Sequence, residues 1–137
     1  MKKLIIAILF LAVTCIVRAS QEGILAFSSF RLESDGIGSS GKVVVEGKQN
    51  EKRQIVTMRI SAFGKEYVVP KEKLAQLVEL PANGIRISYE AGYKELGGRM
   101  IYIQLQMGFT SSTKKQALIT LTENGKIEVS EIQTRDT

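Results

Sequence analysis

Histidine and tryptophan are absent from this chain of 137 residues, proline occurs only twice, and Cys15 is its one cysteine. Without histidine, the usual catalytic triads and Cys–His dyads cannot be assembled. Zinc and copper also lose their preferred ligands, so we expect neither a metal nor another cofactor. If Cys15 is removed with a leader peptide, no thiol remains, and the stability of the domain must come from core packing without disulfides.

The N-terminus has the three parts of a secretory signal peptide. Lys2 and Lys3 give a basic start, residues 4–17 form an apolar or nearly apolar run, and Val17 and Ala19 occupy the −3 and −1 positions before a cleavage site. The sequence therefore predicts a signal peptide over residues 1–19 and a single β-rich domain over 20–137, located in the periplasm or outside the cell.

Two alternatives for the N-terminus follow from the same residues. The apolar run is short for a bilayer span, which needs about 20 residues, but a retained anchor is one alternative. The other is a lipid attached to Cys15, although Thr14 fits poorly at the position before a lipidated cysteine. We favour the prediction that the signal peptide is cleaved near Ala19.

Cleavage also changes the charge of the protein. The 19 basic residues fall to 16 when Lys2, Lys3 and Arg18 leave, against 14 acidic residues, so the net charge becomes +2. The remaining basic residues are scattered and form no stripe of the kind that nucleic-acid binding requires. We expect no nucleic-acid partner.

Period-two alternation of apolar and polar residues dominates the rest of the chain and predicts antiparallel strands with one wet face. In residues 55–63 the predicted apolar face is Val56, Met58, Ile60 and Ala62. Other strands are predicted over 23–32, 42–47, 67–69, 85–90 and 99–109, with a hairpin near the C-terminus and a frayed tail over 134–137.

Two hairpin registers follow from keeping apolar residues on one face. A turn at Gly64 places Ile60 opposite Tyr67. Near the C-terminus, a two-residue turn at Asn124–Gly125 pairs Leu121 with Glu128, whereas a three-residue loop pairs Leu121 with Ile127. We favour the longer loop.

One short helix is predicted between Pro70 and Pro81, with Leu74, Leu77 and Val78 as its apolar stripe. It separates two strands at a point where the chain can cross between sheets. The predicted fold is mainly β: an antiparallel β-sandwich or flattened barrel of about seven to eight short strands with one short helix. The alternative is an α+β fold with a helix on one face of a sheet.

The segment 89–98 is the most distinctive candidate for binding. It joins two predicted strands and carries Tyr93, followed by Lys94 and Glu95, between glycines. Loops on a rigid sheet often bind partners, and tyrosine is a favourable anchor. The structural alternative is that the glycines meet backbone requirements while Tyr93 packs at the edge of the core.

A second candidate is the polar row of Tyr102, Gln104 and Gln106 on the outer face of a strand. Phenol and amide groups of this kind can bind sugars or another strand, although a solvated sheet face has the same composition. The candidate partner-binding residues are therefore Tyr93, Lys94, Glu95, Tyr102 and Gln104.

These observations favour a non-catalytic binding or protein-interaction domain whose partner is another extracytoplasmic protein or a surface glycan. One alternative is an inhibitor of a secreted hydrolase, inserting residues 89–98 or 34–41 into a cleft. Another is a small hydrolase that depends on two carboxylates. No spacing selects the pair among the candidate acids Glu33, Asp35, Glu90 and Glu95.

Overall fold

The computed structural model describes residues 21–23, 28–35, 41–90, 98–108 and 113–136. The predicted signal peptide and segment 91–97 lie outside these ranges. The strands and the helix are β1 Gln21–Gly23, β2 Ser29–Ser34, β3 Val43–Gln49, β4 Ile55–Ala62, β5 Lys65–Val68, α1 Lys71–Ala75, β6 Gly84–Glu90, β7 Met100–Met107, β8 Thr113–Thr122, β9 Ile127–Val129 and β10 Gln133–Asp136.

The strands form two antiparallel sheets, which confirms the predicted β-sandwich-like fold. Sheet A has the order β1-β6-β7-β8-β10, and β9 also pairs with β8. Sheet B has the order β2-β3-β4-β5. Most pairs therefore join strands that are neighbours along the chain, and each sheet is largely a meander.

A single core lies between the inner faces of the sheets. Val45 and Ile60 on sheet B are fully buried, as are Ile103 and Ile119 on sheet A. These residues belong to one contiguous apolar cluster. Burying each large aliphatic side chain contributes about 1.5–3 kcal/mol, so this core can replace the disulfides that the domain lacks.

The helical connection crosses from β5 of sheet B to β6 of sheet A, as the sequence predicted. Helix α1 is only five residues long and begins after Pro70, whose carbonyl accepts hydrogen bonds from the amides of Lys73 and Leu74. Across the residues that the structure describes, we find no helix with the length and apolar character needed to span a bilayer.

The predicted apolar stripe of this connection is wrong at Val78, which is 52% exposed. The amide of Leu77 donates to the carbonyl of Leu74, and the amide of Leu80 donates to that of Leu77. These i to i−3 bonds tighten the chain to about three residues per turn. Leu74, Leu77 and Leu80 therefore share the buried side, and Val78 faces solvent.

The predicted apolar face of β4 is wrong at Val56, which is 44% exposed. Lys48 pairs with Thr57, but the next residue, Gln49, pairs with Ile55. Val56 is therefore the extra residue of a β-bulge. The bulge shifts the alternation by one residue, so Ile55 takes the buried position.

Both predicted hairpin registers are confirmed, since Ile60 faces Tyr67 and Leu121 faces Ile127. Two other expectations are wrong. The strand predicted over 23–32 is divided between β1 in sheet A and β2 in sheet B. Of the tail predicted to fray over 134–137, residues 134–136 are instead paired with the beginning of β8 as part of β10, and Thr137 lies outside the described residues.

Candidate functional site

The outer face of sheet A carries glutamines on β7, β8 and β10, with Arg86 of β6 beside Gln104, and we call the glutamine-bearing surface the amide face. Its rows follow from the strand register, because residues that pair directly share a face of the sheet. Gln106 faces Gln116, which faces Gln133 on the next strand. The residues that define the amide face are Tyr102, Gln104 and Gln106 on β7, Gln116 and Leu118 on β8, and Gln133 on β10.

Three glutamines of the amide face are joined by hydrogen bonds across three strands. Nε2 of Gln104 donates to Oε1 of Gln116 at 3.0 Å, and Nε2 of Gln116 donates to Oε1 of Gln133 at 3.2 Å. An amide has two N–H groups and two oxygen lone pairs. The two hydrogen bonds between the glutamines use only part of this capacity, so each amide can still form a hydrogen bond with a ligand.

A depression of about 260 Å³ lies over this glutamine chain. Ser130 closes one side, where its Oγ accepts a hydrogen bond of 2.9 Å from the amide of Leu118. The lining contains no ionisable side chain and consists of Gln104, Gln116, Ala117, Leu118, Ser130 and Gln133. The surface is therefore suited to a neutral, hydroxyl-rich group.

The structure brings two predicted site residues together and leaves three undescribed. Tyr102 and Gln104 are both half-buried on the amide face, two residues apart on β7. The hydroxyl of Tyr102 lies 3.8 Å from Sδ of Met100. Tyr93, Lys94 and Glu95 lie outside the described residues, so their role in binding stays a prediction.

Arg99 lies just after segment 91–97 and contacts the β8–β9 turn of sheet A and the β4–β5 turn of sheet B. Its guanidinium binds Glu123 twice, with Nη2 at 2.6 Å from Oε1 and Nε at 3.0 Å from Oε2. The same guanidinium lies 5.2 Å from the ring centroid of Phe63, in the β4–β5 turn. We call Arg99, Glu123 and Phe63 the loop clasp.

The loop clasp changes the acidity of Glu123. Side-chain hydrogen bonds from Arg99, followed by a bond from the Arg99 backbone amide, lower the pKa of Glu123 from 4.5 to about 2. A cation that bonds the ionised form stabilises that form. Arg99 and Glu123 therefore bind each other and link the start of β7 to the β8–β9 turn.

The outer face of sheet B carries a second and larger depression of about 640 Å³, in which Arg31, Glu46 and Arg59 are held in ion pairs and Lys48 forms none with the described residues. Arg31 binds Glu46 at 2.7 Å and Glu33 at 3.1 Å, and Arg59 lies 3.7 Å from Glu46. Successive ion pairs form what we call the charged ladder, in the order Lys42, Glu33, Arg31, Glu46, Arg59 and Glu66. A ligand would have to compete with these internal partners.

The candidate acids for hydrolysis occupy unfavourable or undescribed positions. Hydrogen bonds from Lys42, the largest cause, and from Arg31 lower the pKa of Glu33. A general acid needs the opposite shift, toward a raised pKa. Asp35 is exposed, and the side chains of Glu90 and Glu95 are not described. Where side chains are described, the structure therefore offers no support for Glu33 as a catalytic acid.

Sequence reasoning missed Gln116, Leu118, Ser130 and Gln133. Gln116 and Leu118 were within reach, because alternation in 113–122 fixes which residues share a face once β7 and β8 pair. Gln133 was missed because no strand was predicted after the C-terminal hairpin. Comparisons of the chain with protein-family models, curated proteins and solved structures found no match.

Proposed function

We propose that this protein is a non-catalytic binding domain outside the cytoplasm that recognises a glycan on its amide face. The observation that supports this proposal is the hydrogen-bonded chain of Gln104, Gln116 and Gln133 over a depression without ionisable groups. The predicted signal peptide supports the location, since it would deliver the domain to where surface glycans are found.

Amide groups match the chemistry of sugar hydroxyls. A hydroxyl both donates and accepts hydrogen bonds, and each amide offers both partners at fixed positions. Because neighbouring strands are about 4.8 Å apart, a chain across β7, β8 and β10 extends for about 10 Å. Tyr102 and Leu118 add apolar contact beside the chain, which suits the carbon-bound faces of a sugar ring.

A glycan fits this surface better than a protein does. A stable protein interface buries about 800 Å² on each partner and has an apolar centre rich in aromatic residues. The centre of the amide face consists of glutamines. Its two apolar members, Tyr102 and Leu118, are half-buried and so expose little apolar surface to a protein partner. Binding through many modest hydrogen bonds, each about 0.5–1.5 kcal/mol, is the mode that this face favours.

The test is binding of the purified protein to an immobilised panel of neutral and acidic oligosaccharides. Gln116→Ala removes the middle of the glutamine chain and is expected to weaken binding about tenfold, which corresponds to about 1.4 kcal/mol. Gln76→Ala is the matched control, because it removes an exposed amide on the helical connection. Both variants are expected to melt within a few degrees of the wild type, since surface changes alter stability by about 0.5 kcal/mol or less.

Two results would contradict the proposal. The first is failure of the protein to retain any member of the panel. The second is glycan binding that Gln116→Ala leaves intact but that Tyr93→Ala with Lys94→Ala abolishes, because the site would then lie in segment 91–97 rather than on the amide face.

A further inference from the structure

Two cations extend the amide face at the end of sheet A where β8 begins. Lys114 on β8 pairs directly with Arg135 on β10. Each lies two residues from a glutamine of the amide face, Lys114 from Gln116 and Arg135 from Gln133, so all four residues share one face of the sheet. Both cations are exposed.

This cross-strand pair is electrostatically unfavourable as it stands. Like charges at directly opposed positions repel, because their Cβ atoms are about 5 Å apart. Among the residues that the structure describes, neither Lys114 nor Arg135 forms an ion pair with a carboxylate. The nearby Asp136 is on the alternate position of β10 and accepts a hydrogen bond from Oγ1 of Thr113 at 3.1 Å.

The charged ladder provides the contrast within the same molecule. Each of its cations, Lys42, Arg31 and Arg59, lies within ion-pair distance of at least one carboxylate. Among the strand pairs that the structure describes, the register places two cations directly opposite each other, with no carboxylate at ion-pair distance, only at Lys114 and Arg135. An anion supplied by a ligand would give Lys114 and Arg135 the partner that the described residues do not.

We propose that the glycan bound by the amide face is an acidic polysaccharide, with a carboxylate held between Lys114 and Arg135. This inference rests on the proposed function and specifies its ligand class. The planar guanidinium of Arg135 can bind a carboxylate with two hydrogen bonds, and Lys114 adds a second positive charge.

The geometry allows one polysaccharide chain to reach both parts of the site. Two residues along a strand correspond to about 7 Å, which is the separation between the Lys114–Arg135 row and the Gln116–Gln133 row. Hydroxyls would then bind the amides while a carboxylate lies at the cations. A nucleic acid is a poorer match, because its closely spaced phosphates require a basic stripe, whereas here glutamines separate Lys114 and Arg135 from Arg86, the cation beside Gln104.

The experiment compares carboxylated oligosaccharides with their carboxyl-reduced counterparts, which keep the same sugars and linkages but lack the charge. The purified protein is expected to bind the carboxylated member of a pair more tightly, and Lys114→Gln and Arg135→Gln are each expected to weaken that binding about fivefold at low salt. Binding of the reduced member should not change in either variant. Raising the NaCl concentration should weaken only the carboxylated complex.

A control variant separates local charge from net charge. Lys48→Gln with Lys52→Gln removes two exposed cations elsewhere, on the outer face of sheet B and in the β3–β4 turn. Its net charge matches that of a double variant, Lys114→Gln with Arg135→Gln, which is measured beside it. The double variant is expected to bind the carboxylated member more weakly than the wild type does, and the control is expected to bind like the wild type.

Different binding results would contradict this inference and the proposed function. Equal binding of carboxylated and reduced members, lost together in Gln116→Ala, would overturn the acidic ligand and leave glycan binding in place. Equal weakening by the control variant would also overturn the inference, since net charge would then explain the effect. Retention of no oligosaccharide at all would overturn both.

Discussion

The two outer faces of the sandwich use polar side chains in opposite ways. On sheet B, the charged ladder pairs cations with carboxylates, and Glu46 contacts both Arg31 and Arg59. On sheet A, the amide face has glutamines with unused hydrogen-bonding capacity, and Lys114 faces Arg135. Both sheets cover the same core, so packing does not demand this difference. A face whose polar groups satisfy one another contributes to solubility, whereas a face whose groups are incompletely satisfied has capacity left for a ligand.

The largest effects are expected where the two sheets are alike, in the core. Ile60→Ala on sheet B and Ile103→Ala on sheet A should each lower the free energy of unfolding by roughly 2–5 kcal/mol, because both side chains are fully buried. Chemical denaturation followed by circular dichroism should give one transition for each variant. Val56→Ala, at the exposed bulge, serves as the control and should cost less than about 1 kcal/mol.

Two separate unfolding transitions, one for each sheet, would contradict this expectation. If Ile60→Ala unfolded sheet B and left sheet A intact, the outer faces would belong to two independent units. Their difference in polarity would then reflect separate stability requirements.

An intermediate effect is expected at the loop clasp, where elements of both sheets meet. The folded-state pKa of Glu123 is depressed to about 2 from 4.5. Its ionised form therefore contributes stability above pH 4.5, and this contribution is lost as the pH falls through about 2. Glu123→Gln should be less stable than the wild type at neutral pH, and the difference should shrink as the pH falls from 4.5 toward 2.

Thermal melts over this pH range provide the measurement. Glu51→Gln is the control, because Glu51 is exposed and makes no ion pair among the described residues. A constant difference between Glu123→Gln and the wild type down to pH 2 would show that the ion pair with Arg99 does not stabilise the fold.

The smallest effects on stability are expected on the outer faces themselves. Arg31→Gln and Glu46→Gln should lower the melting temperature only slightly, because exposed ion pairs lose side-chain entropy and are screened by solvent. The loss should disappear at high NaCl concentration. Gln104→Ala and Gln116→Ala should show no such salt dependence, since no charge is involved. A salt-dependent loss of stability in the glutamine variants would contradict the contrast between the two faces.

Local sequence pattern was sufficient for the fold class and for much of the register. The pairing of Leu121 with Ile127 was predictable because turn geometry and a buried face together select one register. Val56 and Val78 were misplaced because a bulge and a tightened helical turn shift the period within a single element. Such shifts depend on the partner strand and on the packed core, neither of which is visible in a local pattern.

The candidate site was predictable only in part, for a similar reason. Tyr102 and Gln104 share a strand, so their common face followed from alternation alone. Gln133 joins them through β10, whose four exposed residues carry no apolar pattern and form a strand because β8 is beside them. The contribution of Tyr93, Lys94 and Glu95 remains a prediction.

The short strand β1 has a consequence for the order in which the sheets are completed. Its partner β6 begins at Gly84, far along the chain, whereas β2 to β5 pair with their immediate neighbours. During synthesis from the N-terminus, the strands of sheet B can pair with nearby segments, but Gln21–Gly23 can pair only after Gly84–Glu90 has been made. β1 therefore pairs later than the described strands of sheet B, and this edge of sheet A can close only once the chain has been made as far as β6.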